Sequence, residues 1–126
     1  MLEIYPISDN DKLDSLFELN KLDKKAGAAG YSALDGGKEV GYCLFCVNQP
    51  EKLTEIYLFE PTNGMLLCDS LVRSVINYSA NRGVFKLFCF TENSRSVASK
   101  LTYPKGDTSE IDIADMMHGC KNCKKV

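Results

Sequence analysis

The sequence predicts an α/β domain: a mixed, mostly antiparallel sheet with helices on both faces. Three observations carry that expectation. Apolar runs of strand length recur at 40–47, 53–59 and 84–90, and the first and last are apolar on both sides, as buried strands are. Between the last two runs, Leu67, Leu71, Val75 and Tyr78 fall on one face of a helix, widened by Val72 and Ile76. The length, 126 residues at 44% hydrophobic and 25% charged, fits one domain with a real core and not two.

The elements follow in order. Leu2 to Ile7 reads as an edge strand, because Pro6 cannot donate to a ladder. Ser8, with Asp11 three residues on, starts a helix in capping-box style, and Leu13, Leu16, Phe17 and Leu22 carry it to about Lys25. The stretch from Ala26 to Gly30 breaks the helix, Tyr31 to Leu34 is a short strand, and Asp35-Gly36-Gly37 makes a hairpin turn. Val40–Val47 is the central strand, and Asn48 to Glu51 turns the chain into Leu53–Phe59. The helix ends at Arg82-Gly83, where glycine suits the C-cap. Val84–Phe90 is the next strand, joined to Leu53–Phe59 by a right-handed helical crossover and therefore parallel to it. Glu92 to about Lys100 is a weaker helix with Asn93 as its candidate N-cap, and Glu110–Ala114 is a candidate last strand. Residues 1–115 form the domain and 116–126 a Cys-rich tail.

Charge and hydropathy exclude several classes. A net charge of −2 gives no basic surface for nucleic acid or anionic lipid. The apolar runs are too short for a membrane span, and the first residues lack the basic and apolar regions of a signal peptide, which points to the cytoplasm. In that compartment six cysteines do not imply disulfides. Cys43, Cys46 and Cys89 lie in apolar strands and read as small hydrophobes.

Against this background the stretch from Leu53 to Asn93 resembles the GNAT-type N-acetyltransferase superfamily. Ile56-Tyr57-Leu58 is similar to the family's strand end and Asn63-Gly64 to its Arg-Gly pair. Ser70 to Val75 is similar to the helix, Arg82-Gly83 to its end, and Glu92-Asn93 to the start of the next helix. The resemblance covers roughly residues 30 to 100. It implies an acyl-CoA acyltransferase fold and transfer of an acetyl group from acetyl-CoA to an amine on a small molecule or peptide. It further implies that the backbone N–H of Leu58 binds the acyl carbonyl oxygen, and that Asn63, Gly64, Leu66 and Cys68 lie around the pyrophosphate. Asn93 would sit near the pantetheine arm or the leaving sulfur. Two departures fall in the phosphate loop. Leu66 puts a branched side chain where the family's loop has bare backbone, and Asn63 lacks the charge of Arg. Only one helix fits between the first two strands where the family has two, leaving the acceptor site open, suited to a large acceptor, or to be completed by a second copy in a homodimer.

Glu60 at the strand exit is the candidate general base, with Glu55 one strand face earlier as the other carboxylate. Lys100 stands where the family has the tyrosine that protonates the thiolate, so Tyr103, one turn on, is the candidate acid. In the tail, His118, Cys120 and Cys123 offer three ligands suited to zinc, one short of a structural site. The alternative reading is an inactive GNAT-like binding domain in which Leu66 blocks the loop and the cysteine tail senses metal or thiol state.

Overall fold

The computed structural model describes residues 1–61 and 64–100 and the backbone of 110–112. The described residues form six strands and three helices in the order β1 (Leu2–Pro6), α1 (Asn10–Leu19), β2 (Ala28–Asp35), β3 (Lys38–Asn48), β4 (Leu53–Glu60), α2 (Met65–Ala80), β5 (Lys86–Cys89), α3 (Glu92–Lys100) and β6 (Glu110–Asp112). The sheet keeps sequence order, β1-β2-β3-β4-β5-β6. Every neighbouring pair is antiparallel except β4 and β5, which are parallel as the crossover requires. Among the described residues no helix is long and apolar enough to cross a membrane.

The two faces carry two cores. α2 and α3 bury Leu71, Val72, Val75, Val97 and Ala98 against Phe45, Ile56, Phe59 and Leu87. On the other face, the one described helix, α1, buries Leu13 and Phe17 against Leu44, Cys46 and Tyr57. A buried polar pin joins α2 to the sheet: the Thr54 and Ser79 hydroxyls lie 2.6 Å apart, and Ser79 Oγ donates to the Val84 carbonyl at 2.8 Å.

Several boundaries differ from the sequence expectation, each for a local reason. Asp9, not Ser8, caps α1, its carboxylate accepting from the amides of Asp11 and Lys12. The helix stops at Leu19 and not near Lys25, because the Asn20 side chain donates to the Leu16 carbonyl and Lys21 turns to φ 57°. β2 begins at Ala28, so the break runs from Asn20 to Gly27 and Ala28 to Gly30 belong to the strand. At φ 90° a Cβ on Gly27 would lie 2.3 Å from the Val47 carbonyl oxygen. β5 is shorter than the apolar run, since Val84 turns its amide back to the Ser79 carbonyl. Thr91, not Asn93, caps α3: Ser94 N donates to Thr91 Oγ1 at 3.1 Å while Thr91 N donates to Ser94 Oγ at 3.2 Å.

Candidate active site

β4 has two halves with different neighbours. Thr54, Glu55 and Ile56 pair with Leu87, Phe88 and Cys89 of β5, and the ladder closes where Phe90 N donates to the Ile56 carbonyl at 3.0 Å. Past Ile56 the strand runs on to Glu60, paired only with β3. A register shift opposite Leu44 and Phe45 makes Tyr57 an extra residue, a β-bulge. Simple alternation puts Glu55, Tyr57 and Phe59 on one face. The bulge corrects this: Tyr57 and Leu58 join the α1 core, whereas Phe59 turns into the α2 core.

Side chains from the start of α3 occupy the β4 edge that β5 leaves. Thr91 Oγ1 donates to the Tyr57 carbonyl, and Ser94 Oγ donates to the Ile56 carbonyl at 3.2 Å. Phe59 N–H donates to Asn93 Oδ1 at 2.7 Å, and Asn93 Nδ2 donates to the Phe59 carbonyl at 3.0 Å. Leu58, the expected oxygen binder, is the ladder partner of Leu44. The peptide facing the gap beside α3 is that of Phe59, which sequence reasoning missed because the bulge is invisible in side-chain types.

At the end of β4 the chain turns through Pro61 into α2. Gly64 is the N-cap and supplies no side-chain hydrogen bond, and the first turn holds no acidic residue. Among the described residues no side chain caps this helix N-terminus, a place where backbone amides and the helix dipole favour an anion. Leu66 is 74% exposed, its side chain turned to solvent at this end. Cys68 is placed differently from the expectation. Its thiol is fully buried and donates to the Pro61 carbonyl at 3.2 Å, and its amide donates to the Gly64 carbonyl, so neither is open to a ligand. Burial also pushes that thiol up from its ordinary value. Gly41 of β3 lies under this turn, where a Cβ would meet the Glu60 carbonyl oxygen at 2.5 Å and Leu67 Cδ2 at 2.8 Å.

The opposite face carries the carboxylates. Glu55 is only 7% exposed; the Tyr57 hydroxyl donates to its Oε1, and Lys25 Nζ stands 3.6 Å away. Burial, and then the bond to Glu55, raises the Tyr57 phenol above its ordinary range. Tyr57 meets Phe17 edge-on and stacks on Phe90 at 6.1 Å, and Phe90 packs edge-on against Phe88 at 4.7 Å. Phe90 is 43% exposed, since α1 does not reach β5. The result is a half-open aromatic wall beside a buried carboxylate. Glu60 is exposed at the strand exit. Asn63, Tyr103, His118, Cys120 and Cys123 lie outside the described residues. Among those described, no group of three or more His, Cys, Asp or Glu is placed to hold a metal.

No protein-family model matches the chain, and no curated protein matches it. Solved structures do. An IAA acetyltransferase from Bacillus cereus ATCC 14579 superposes with a TM-score of 0.58 at 22% identity, over 79% of this chain and 75% of that one. A ribosomal-protein-alanine N-acetyltransferase from Brucella melitensis biovar Abortus 2308 gives 0.59 at 14%, over 84% and 94%. The fold is that of the GNAT-type N-acetyltransferases. A structure from Exiguobacterium sp. 255-15 follows the same GNAT fold over 94% of this chain and 98% of its own, with a TM-score of 0.62 at 11% identity. At such identities the likeness is one of backbone path, so the GNAT fold here is established by topology and not by shared side chains.

Proposed function

We propose that this protein is an N-acyltransferase that moves an acetyl group from acetyl-CoA to an amine. The observation that carries the reading is the parting of β4 and β5 after Ile56, upstream of an α2 N-terminus that no described side chain caps. In this reading the donor passes the edge of β4 there, between the α2 face and the face of Glu55. A donor with a phosphate end and a thioester end fits such a passage: phosphate at the amides that open α2, thioester between the strands, acceptor at the aromatic wall. Gly64 and Leu66, with Asn63 beside them, would border the pyrophosphate, and the peptides from Leu58 to Phe59 the acyl carbonyl and pantetheine arm.

In the transfer the amine nitrogen attacks the thioester carbon, a C–N bond forms, and the C–S bond breaks. The amine's proton goes to a carboxylate, and the departing coenzyme A thiolate takes up a proton. Glu55 suits the first role better than Glu60, because it is buried beside a half-open aromatic wall while Glu60 faces solvent. Tyr103 is the proposed proton donor to the thiolate. A second copy of the chain would supply the acceptor wall that the single helix on this face leaves short. The cytoplasm is the proposed location.

Thermal unfolding with acetyl-CoA tests the donor. At a hundred times its dissociation constant it should stabilise the fold by about 2.7 kcal/mol, a shift of several degrees. No shift at millimolar ligand removes the reading. Thiol release with a panel of primary amines then tests the chemistry. Glu55→Gln should slow transfer by about two orders of magnitude or more, with Glu60→Gln near wild type; the reverse ranking would return the role to Glu60.

A further inference from the structure

We infer that the protein acylates itself at Lys25, whose amine takes the acetyl group of acetyl-CoA where an external amine otherwise would. This rests on the acyltransferase reading, but the observation behind it is a separate contact. Lys25 Nζ stands 3.6 Å from Oε1 of Glu55, the carboxylate proposed as base. The Lys25 side chain is 59% exposed, while Glu55 is buried. Lys12 and Lys24 pair differently: they meet Glu39 and Asp14 at 2.6 and 2.5 Å, and both of those carboxylates are exposed. Lys25 thus brings an amine from solvent to a buried base, as an acceptor must.

The loop before β2 holds the amine there. The Lys25 carbonyl accepts from Ala28 N at 3.0 Å, the Ala26 carbonyl from Cys46 Sγ at 3.2 Å, and the Gly27 carbonyl from Val47 N at 3.0 Å. These bonds fix the backbone, so the side chain has only its own rotamers to search. Glu55 lies one residue before the last rung of the β4–β5 ladder, Ile56 with Cys89, beyond which the thioester is proposed to sit. In the step, the Lys25 ammonium gives one proton to Glu55. The neutral nitrogen attacks the thioester carbon, the C–N bond forms and the C–S bond breaks. The second proton leaves the nitrogen for the coenzyme A thiolate, and Glu55 returns the first to solvent. The product amide carries no charge, so the ion pair is lost. The carboxylate, still bonded to the Tyr57 hydroxyl, is then open to the ammonium of an external acceptor.

The test is acetyl-CoA with no external amine, read by intact mass and peptide mapping. Lys25 should gain one acetyl group at an initial rate about a hundredfold or more above that of Lys12, whose carboxylate partner is not a buried base. S-acetyl-N-acetylcysteamine, an acetyl thioester without the phosphate end that would hold it, should show no such preference. Folded Glu55→Gln should lose the preference with acetyl-CoA. Lys25 labelled no faster than Lys12 overturns the inference, and thiol release with an external amine then leaves the acyltransferase reading standing. The same preference with the truncated thioester, or in folded Glu55→Gln, marks an amine that is merely reactive and overturns the inference as well. If acetyl-CoA neither raises the melting temperature nor labels Lys25, and no external amine releases thiol, the acyltransferase reading falls and the inference with it. Should Glu55→Gln not fold, the truncated thioester decides.

Discussion

The two halves of β4 solve the same problem by different means. From Thr54 to Ile56 the strand's outer edge is satisfied by the backbone of β5, in a ladder with Leu87 and Cys89 fully buried beneath it. From Tyr57 to Phe59 the same edge is satisfied by Thr91 and Asn93. A ladder is cooperative and hard to open at one rung. Side-chain bonds open singly, each at the cost of about a kcal/mol. The difference teaches where this sheet can admit something and where it cannot.

The largest expected effect strikes the ladder half. Leu87→Ala removes a fully buried side chain from the α2 core and should cost about 2–5 kcal/mol in urea unfolding. A cost below 1 kcal/mol would mean that β5 is as loosely held as the edge beyond it. Gly41→Ala strikes the other half from behind, because its Cβ would meet the Glu60 carbonyl oxygen. A loss of about 1–3 kcal/mol is expected, with weaker coenzyme A binding as the turn into α2 shifts. Unchanged affinity would separate that turn from the ligand.

Thr91→Ala removes the α3 cap and the donor to the Tyr57 carbonyl together. The expected cost is about 1 kcal/mol, seen as faster amide exchange in the first turn of α3 while β4–β5 amides stay protected. Uniform loss of protection would erase the distinction between the halves. The smallest effect is at the junction. The Tyr57 phenol is raised above its ordinary 10.0 by burial and by Glu55, so the folded state favours the neutral ring. That contribution is intact below pH 10 and drains away as pH rises above it. Wild type should therefore lose stability above pH 10 relative to Tyr57→Phe; parallel curves would show that the phenol is not held by the fold.

Much of the fold was legible in the sequence, and the site less so. The order of elements, the parallel β4–β5 pair and the covering of both faces follow from apolar periodicity and crossover length, which side-chain types encode directly. The hairpin at Gly36-Gly37 was legible because only glycine takes both positive φ values, 63° and 85°, without strain. The bulge at Tyr57 was not, since it depends on how β3 pairs and not on what Tyr57 is. That one displacement moved Phe59 to the other face and made its peptide, not that of Leu58, the partner of Asn93. The burial of Glu55 was not legible, since alternation along a strand does not show that the Tyr57 hydroxyl and Lys25 close on its carboxylate. Thr91 was passed over as a cap because Asn93, two residues later, has the same local preference and different long-range neighbours.

α2 is also a strut with one fixed and one working end. Ser79 clamps its last turn to Thr54 in the ladder half of β4, while among the described residues no side chain caps the opening turn after Gly64. Sixteen residues at 1.5 Å each put roughly 24 Å between the two ends. A tilt of about one degree at the clamp therefore moves the free amides by roughly 0.4 Å over that length, a tenth or more of a hydrogen-bond distance. The aim of those amides depends on a pair of hydroxyls roughly one helix length away.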